Sequence, residues 1–189
     1  MFQLPIRTLD SEHSTGSSEL GQLPDWNLND LYTATDAKEL IRDLNWLEKE
    51  CNEFAKSYEG KLHTLSDKEM LTCVVRNEKI SSISGRIISY AGLLYYQKTT
   101  DADRAKFLSD MQEKITVFTT KLVFFSLEIN SLEDEFLDKL FTKNDQLARY
   151  KPVFEKIRAM KPYQLNDEIE KFLHDLGSVG DAWEKLFDE

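Results

Sequence analysis

The chain has 189 residues, 41% hydrophobic and 31% charged, a balance that suits one sizeable globular domain or two small ones. Its 34 acidic and 24 basic residues give a formal net charge of −10, and basic residues alternate with acidic ones throughout, which argues against a nucleic-acid partner. With only 7 glycines and 4 prolines, the chain has few turn-forming residues, so we expect an all-α fold.

The first predicted elements are a flexible tail and a helix. Residues 1–22 are polar and rich in serine, which predicts a flexible N-terminal tail. Residues 23–189 are expected to form one helical domain, an array of about six or seven helices. Asp36 and Glu39 have the spacing of a capping box and predict the start of the first helix. Gly60 is expected to end it in the left-handed conformation.

The next two helices predict a long antiparallel hairpin. Ser66 and Glu69 form a second capping box, and the helix that they open is expected to run to about Gln97. A third helix is expected to start near Asp101 and to continue unbroken. Its apolar residues alternate spacings of three and four along a seam of Leu108, Met111, Ile115, Phe118, Leu122, Phe125 and Ile129. The short turn between the two helices favours antiparallel packing.

Shorter helices are expected in the C-terminal third. They are predicted from residues that begin or end helices: Ser131 with Asp134, Gln146, Asn166, Gly177, and Ser178 with Asp181. Gly177 is expected to end the helix that Asn166 begins. The last helix, opened by Ser178, then reaches the end of the chain.

Several features indicate a cytoplasmic protein with no membrane partner. No apolar run approaches the roughly 18 residues that a membrane span requires. Residues 1–7 are too short and too polar for a secretory signal. Cys51 and Cys73 fit neither a disulfide framework nor a metal-binding pattern, so we expect two free thiols, as in a reducing compartment.

The histidines predict no catalytic or metal-ligating residue in this chain. A zinc peptidase of the HExxH type needs two histidines four residues apart on one helical face, because that spacing aims both rings at one metal ion. His13, His63 and His174 are too far apart to form such a pair. The sequence therefore predicts no cofactor held by this chain.

The most site-like group of residues is Arg86 with Tyr90, Tyr95 and Tyr96. Arg86 and Tyr90 are one helical turn apart, and phenols beside a guanidinium could hold the carbonyls or the terminal carboxylate of a peptide. In the alternative interpretation, Tyr95 packs inside the hairpin and the other three form its rim. Both interpretations remain open at this point.

Three segments resemble one peptidase family. They read Trp-Asn-Leu-Asn-Asp-Leu-Tyr at 26–32, Tyr-Glu-Gly-Lys-Leu at 58–62, and Lys-Pro-Tyr-Gln-Leu-Asn-Asp-Glu-Ile-Glu-Lys-Phe-Leu at 161–173. Their order and spacing resemble the N-terminal region of the oligoendopeptidase F family of zinc metallopeptidases, from about residue 24 to the end. The resemblance is most specific from residue 150 onward.

The resemblance implies a helical region that forms one wall of a deep channel. In that family the channel floor carries the HExxH helix, where zinc-activated water cuts oligopeptides. None of those catalytic positions has a counterpart in this sequence. The implied partners are therefore an oligopeptide substrate and the chain's own C-terminal catalytic domain, which would hold the zinc of the full-length enzyme. The final segment is expected to continue into that domain.

A second interpretation is a stand-alone helical protein-interaction module. In this interpretation the seam from Leu108 to Ile129 binds a helix of another protein or of a second copy, giving a homo-oligomer. The two interpretations differ in what covers the seam. A seam closed within the chain leaves nothing for a partner helix to bind.

Overall fold

The structure, a computed structural model, describes the backbone of residues 26–188 and the side chains of 26–177 and 186. The predicted tail at 1–22 and His13 lie outside the described residues. Eight α-helices and no β-strand occur between 26 and 188, which confirms the all-α prediction. They are α1 (Lys38–Tyr58), α2 (Asp67–Tyr96), α3 (Ala102–Thr119), α4 (Val123–Ser131), α5 (Asp134–Lys143), α6 (Asp145–Ala148), α7 (Lys151–Arg158) and α8 (Asp167–Asp188).

The predicted hairpin is formed by α2 and α3, which make the most extensive helix–helix contact of the fold. Ser66 and Glu69 form the predicted capping box at the start of α2. Asp101 caps α3 with its carboxylate, which accepts hydrogen bonds from two backbone amides of the first turn. Arg104 links the first turn of α3 to the last turn of α2, because its Nη1 donates to the carbonyl of Leu94 at 2.9 Å. A carbonyl in the last turn of α2, which has no partner within that helix, thus accepts a hydrogen bond from a side chain of α3.

The first helix begins differently from the prediction. Its N-cap is Ala37, and no side chain caps it, so the predicted box of Asp36 and Glu39 is wrong. Ala37 is buried, and its amide donates to the carbonyl of Ala34 at 3.1 Å in a preceding turn. Packing and that backbone turn therefore set the start of α1. At the other end of α1, Gly60 has φ +77°, as predicted.

The seam helix is interrupted. After α3 ends, a 3₁₀ turn at Thr120–Leu122 precedes α4, so the prediction of one unbroken helix is wrong. Thr119 Oγ1 donates to the carbonyl of Ile115 at 2.9 Å, and Thr120 Oγ1 donates to that of Thr116 at 2.8 Å. Such bonds from a hydroxyl to the preceding turn bend helices. The apolar pattern persists through the break because both halves face the same core.

The core lies between α1, α2 and the α3–α4 segment. Phe54 of α1 is fully buried, and its ring centroid is 6.0 Å from that of Phe124 and 5.9 Å from that of Phe125. Cys51 and Cys73 are buried free thiols in the same core, as predicted. Residues from all four of these helices therefore belong to one hydrophobic cluster.

The C-terminal third departs most from the predicted boundaries. Ser131 does not cap α5, whose N-cap is Glu133. The helix predicted from Gln146 is divided into α6 and α7. Asn166 caps α8 as predicted, since its Oδ1 accepts from the amide of Ile169 at 2.9 Å. Gly177 does not end α8, which runs unbroken to Asp188, so the predictions of an end at Gly177 and of a new helix from Ser178 are both wrong.

Candidate functional site

Arg86 belongs to a polar cluster that joins α1 to α2. Its Nη2 donates to Asp43 Oδ2, and its Nε donates to the hydroxyl of Tyr32 at 3.0 Å. The Tyr32 hydroxyl in turn donates to Asp43 Oδ2 at 2.9 Å. The guanidinium carbon of Arg86 also lies 4.8 Å from the centroid of the Tyr32 ring. The three side chains therefore tie the segment before α1 to both helices.

The charges of this cluster are held in their ionised forms. Burial acts to raise the pKa of the Asp43 carboxyl, but hydrogen bonds from Tyr32 and Arg42 and the charge of Arg86 outweigh it, so the pKa is lowered. Burial acts to lower the pKa of Arg86, but the hydrogen bond to Tyr32 and the charge of Asp43 raise it. A carboxylate and a guanidinium that both keep their charge form an ion pair and do not exchange protons.

The three tyrosines named with Arg86 occupy different environments. Tyr90 is buried, and its ring centroid lies 5.4 Å from that of Tyr32 and 6.1 Å from that of Phe107. Tyr95 and Tyr96 pack on each other at the end of α2, with ring centroids 5.4 Å apart, and Tyr96 is exposed. Tyr90 therefore supports the Arg86 cluster from inside, while Tyr95 and Tyr96 lie apart from it. A peptide contact at these four residues stays a prediction.

The sequence reasoning missed Asp43 and Tyr32. Asp43 is 5% exposed although it carries a charge, and it is the partner that fixes Arg86. Its position could have been noticed, because it lies three residues after Leu40 and four before Leu47 on the apolar face of α1. A charged residue at a core position needs a partner of opposite charge.

The second candidate site is a surface of α8, which packs on the rest of the chain through polar contacts. Lys171 Nζ lies 3.6 Å from Glu59 Oε1, and Thr120 Oγ1 donates to Asp175 Oδ1 at 2.6 Å. His174 Nε2 lies 3.3 Å from the hydroxyl of Thr119. Between residues 167 and 177, polar side chains of α8 therefore supply hydrogen bonds and an ion pair to the body of the protein.

The other side of α8 carries apolar residues that face solvent. Ile169, Phe172, Leu173 and Leu176 follow one another at spacings of three, one and three, and we call them the C-terminal apolar face. They are 42%, 60%, 47% and 39% exposed. Between residues 155 and 177 no side chain is buried. The amphipathic α8 is thus oriented opposite to an ordinary surface helix.

A recess of about 570 Å³ adjoins α8 at Glu170 and has exposed apolar walls, among them Val153, Met160 and Tyr163. Asn130 also lines it, and Asn130 Oδ1 is buried without a hydrogen-bond partner among the residues that the structure describes. A buried carbonyl left without a donor is unfavourable. The recess therefore offers apolar area, and the unpaired Asn130 Oδ1 is buried next to it.

No described residues fit a zinc ion. Within the described part of the chain, no three His, Cys, Asp or Glu side chains lie together in a way that could hold a metal. Burial raises the pKa of Cys51 to about 11 and of Cys73 to about 12, so neither is a ready thiolate ligand. In the same part of the chain, no single helix is long and apolar enough to cross a membrane; only α3–α4 taken with α5 meets those criteria, and that pair bends by 98°.

Comparisons with known proteins point to one peptidase family. A family model described as Oligopeptidase F matches residues 128–189. The crystal structure of oligoendopeptidase-F from Enterococcus faecium superposes with a TM-score of 0.73 over 82% of this chain, at 20% sequence identity. At that identity the likeness is one of fold. No curated protein matches the chain.

The described helices thus have the fold of part of an oligoendopeptidase. The resemblance to the oligoendopeptidase F family is confirmed by sequence over residues 128–189 and by fold over most of the chain. The matched part makes up 29% of the length of the enterococcal enzyme.

Proposed function

We propose that this chain is the non-catalytic N-terminal region of a zinc-dependent oligoendopeptidase and forms one wall of its substrate channel. The observation that carries the proposal is the reversed orientation of α8, whose polar side faces the protein and whose apolar face is exposed. This surface lies in the segment that matches the family model. An exposed apolar stripe of this kind marks an interaction surface.

The proposed occupant of the C-terminal apolar face is the catalytic domain of the same enzyme. That domain would hold the zinc ion, which supplies an activated water for peptide hydrolysis. No described residue of this chain takes part in that step. The recess beside Asn130 would receive an apolar side chain of the catalytic domain.

A cytoplasmic location is part of the same proposal. Its support is that Cys51 and Cys73 are both free in the core. Free thiols are the usual state in a reducing compartment.

The proposal is tested first on the coding sequence and then on the proteins. We expect the reading frame beyond the Glu189 codon to reach a His-Glu-x-x-His motif. The 189-residue chain should not cleave a fluorogenic oligopeptide with added zinc, whereas the longer product should. Zinc-dependent cleavage by the pure 189-residue chain would overturn the assignment.

The docking surface is tested in the longer product with a matched pair of variants. Phe172→Asp should lower peptidase activity and release the catalytic domain on limited proteolysis, because it places a charge in the proposed interface. Val117→Asp is the control, since Val117 is an exposed apolar residue of α3 that does not belong to the C-terminal apolar face. Equal activity of the two variants would exclude the apolar face as the docking surface.

The interaction-module interpretation finds no support in the seam. Met111, Ile115, Phe125 and Ile129 are buried in the core, and Leu108, Phe118 and Leu122 pack against it. The chain closes its own seam, so no continuous stripe remains on α3 for a partner helix. A second copy seated on the C-terminal apolar face would appear instead as a dimer in sedimentation of the 189-residue chain.

A further inference from the structure

A cationic concavity opens between α1 and α2 and has no assigned role. Its volume is about 420 Å³, and it is lined by the side chains of Arg42, Asp43, Trp46, Lys79, Ile83 and Arg86. Three of these side chains are positively charged and one is negatively charged. The concavity is therefore a local excess of positive charge on a chain whose formal net charge is −10.

The single carboxylate cannot neutralise the three cations. Asp43 Oδ1 accepts two hydrogen bonds from Arg42, at 3.2 and 3.1 Å, and Asp43 Oδ2 accepts from Arg86 and Tyr32. Its lone pairs are thus fully used. Among the described residues, no carboxylate forms an ion pair with Lys79. The concavity keeps an excess of about two positive charges.

Donor groups in the concavity remain available for a ligand. Arg42 and Arg86 each use Nε and Nη2 in the cluster, and no described acceptor bonds the Nη1 of either. The Arg42 side chain is 69% exposed. Asp43 and Tyr32 hold the Arg86 guanidinium in place, so a ligand does not bear the entropy of ordering it. Each guanidinium can therefore donate through Nη1 to a carboxylate of a ligand, in a hydrogen bond strengthened by the opposite charges.

An apolar surface lies beside these donors. Lys79 Nζ is 4.8 Å from the centroid of the Trp46 ring, and Trp46 and Ile83 are both half-buried. An inorganic anion would contact the cations but not the ring. A carboxylate attached to an apolar side chain would contact both, which is the chemistry of a peptide that ends in an apolar residue.

We infer that this concavity binds the C-terminal carboxylate of an oligopeptide, with the last side chain resting on Trp46 and Ile83. The choice of a peptide as ligand rests on the proposed function. The site itself depends only on contacts between α1 and α2.

The test is calorimetric binding to the 189-residue chain, with three peptides of about five residues. One ends in leucine with a free carboxylate, one is the same peptide amidated, and one is amidated with an internal glutamate. We expect the free acid to bind at least tenfold more tightly than either amidated peptide. Arg42→Gln with Lys79→Gln should weaken the free acid by at least tenfold. Lys106→Gln, an exposed lysine of α3, should leave it unchanged.

Three results would overturn the inference. If the free acid and its amide bound equally, the terminal carboxylate would not be recognised. If the amidated peptide with an internal glutamate bound as tightly as the free acid, any carboxylate would suffice and the chain terminus would not be recognised. Displacement by inorganic phosphate at the concentration of the peptide itself would define a general anion site. Zinc and hydrolysis do not enter this measurement, so it can fail while the peptidase assignment stands, and the reverse also holds.

Discussion

The α3–α4 segment and α8 carry similar apolar patterns, but the protein treats them in opposite ways. Both have apolar side chains at helical spacing. The seam residues of α3–α4 lie in or against the core, whereas the C-terminal apolar face of α8 is exposed to solvent and several polar residues of α8 contact the protein. Periodicity therefore identifies the apolar face of a helix, but it does not say what covers that face.

The difference arises from what surrounds each segment. The α3–α4 segment meets α1 and α2, which supply enough apolar area to bury it. α8 packs on α3 and α4, and at Glu59, Thr119 and Thr120 its polar residues meet polar partners. These contacts orient α8 with its apolar stripe outward, where another domain can reach it.

The sharpest way to break this comparison is the same substitution in both segments. Phe118→Asp should reduce the free energy of unfolding of the 189-residue chain by about 3 kcal/mol or more, because it places a carboxylate against the core. Phe172→Asp should change it by less than about 0.5 kcal/mol, since Phe172 is 60% exposed. Urea denaturation followed by circular dichroism measures both.

A dye that binds exposed apolar surface provides a second measurement on the same pair. The native chain should bind it at the C-terminal apolar face, and Phe172→Asp should reduce that fluorescence. If instead Phe172→Asp unfolds the chain while Phe118→Asp does not, the covered and uncovered faces have been assigned the wrong way round.

Most of the fold could be predicted because local signals agreed with the packing. Helix starts and ends were predicted correctly where a single residue determines them. Ser66 and Asp101 accept hydrogen bonds from backbone amides of the first helical turn, and Gly60 adopts the left-handed conformation after α1. The predictions failed where packing overrode the local signal. A buried Ala37 begins α1, and α8 passes through Gly177 without a left-handed residue.

The sequence predicted Arg86 as a site residue but did not predict the residues that bind it. Arg86 could be selected because an arginine stands near tyrosines at helical spacing. Its actual partners, Asp43 and Tyr32, lie 43 and 54 residues away along the chain. No local spacing relates residues so distant, so the ion pair appears only when α1 packs on α2. Asp43 alone carried a signal, as a charge on an apolar face.

A second prediction concerns Cys51 and Cys73, the two buried thiols of the hydrophobic core. Burial raises the pKa of Cys51 and Cys73, so the native state keeps both protons at a pH where the unfolded thiols lose theirs. Stability should therefore fall as pH rises above the ordinary thiol range near 8.5, by about 1 kcal/mol per thiol at pH 9.5. Urea denaturation at pH 7.5 and 9.5 measures the loss.

The variants for this measurement separate the two regions. Cys73→Ala lowers stability at both values of pH by loss of packing, but it should remove about half of the difference between them. Phe172→Asp should leave the difference unchanged, because Phe172 is exposed and outside the hydrophobic core that holds both thiols. A pH dependence that persists in the double variant Cys51→Ala with Cys73→Ala would assign it to other groups.

The smallest expected effect comes from two serines that share one capping pattern. Ser66 accepts a hydrogen bond from the amide of Glu69, whose carboxylate accepts from the amide of Ser66 at 2.9 Å. Ser66→Ala should therefore lower the free energy of unfolding by about 1 kcal/mol. Ser131 has an acid at the same spacing, yet its hydroxyl donates to the carbonyl of Glu128, within α4. Ser131→Ala should change stability by less than about 0.5 kcal/mol. Equal losses in the two variants would mean that Ser131 caps α5 in solution, and the start of that helix would then follow the local pattern after all.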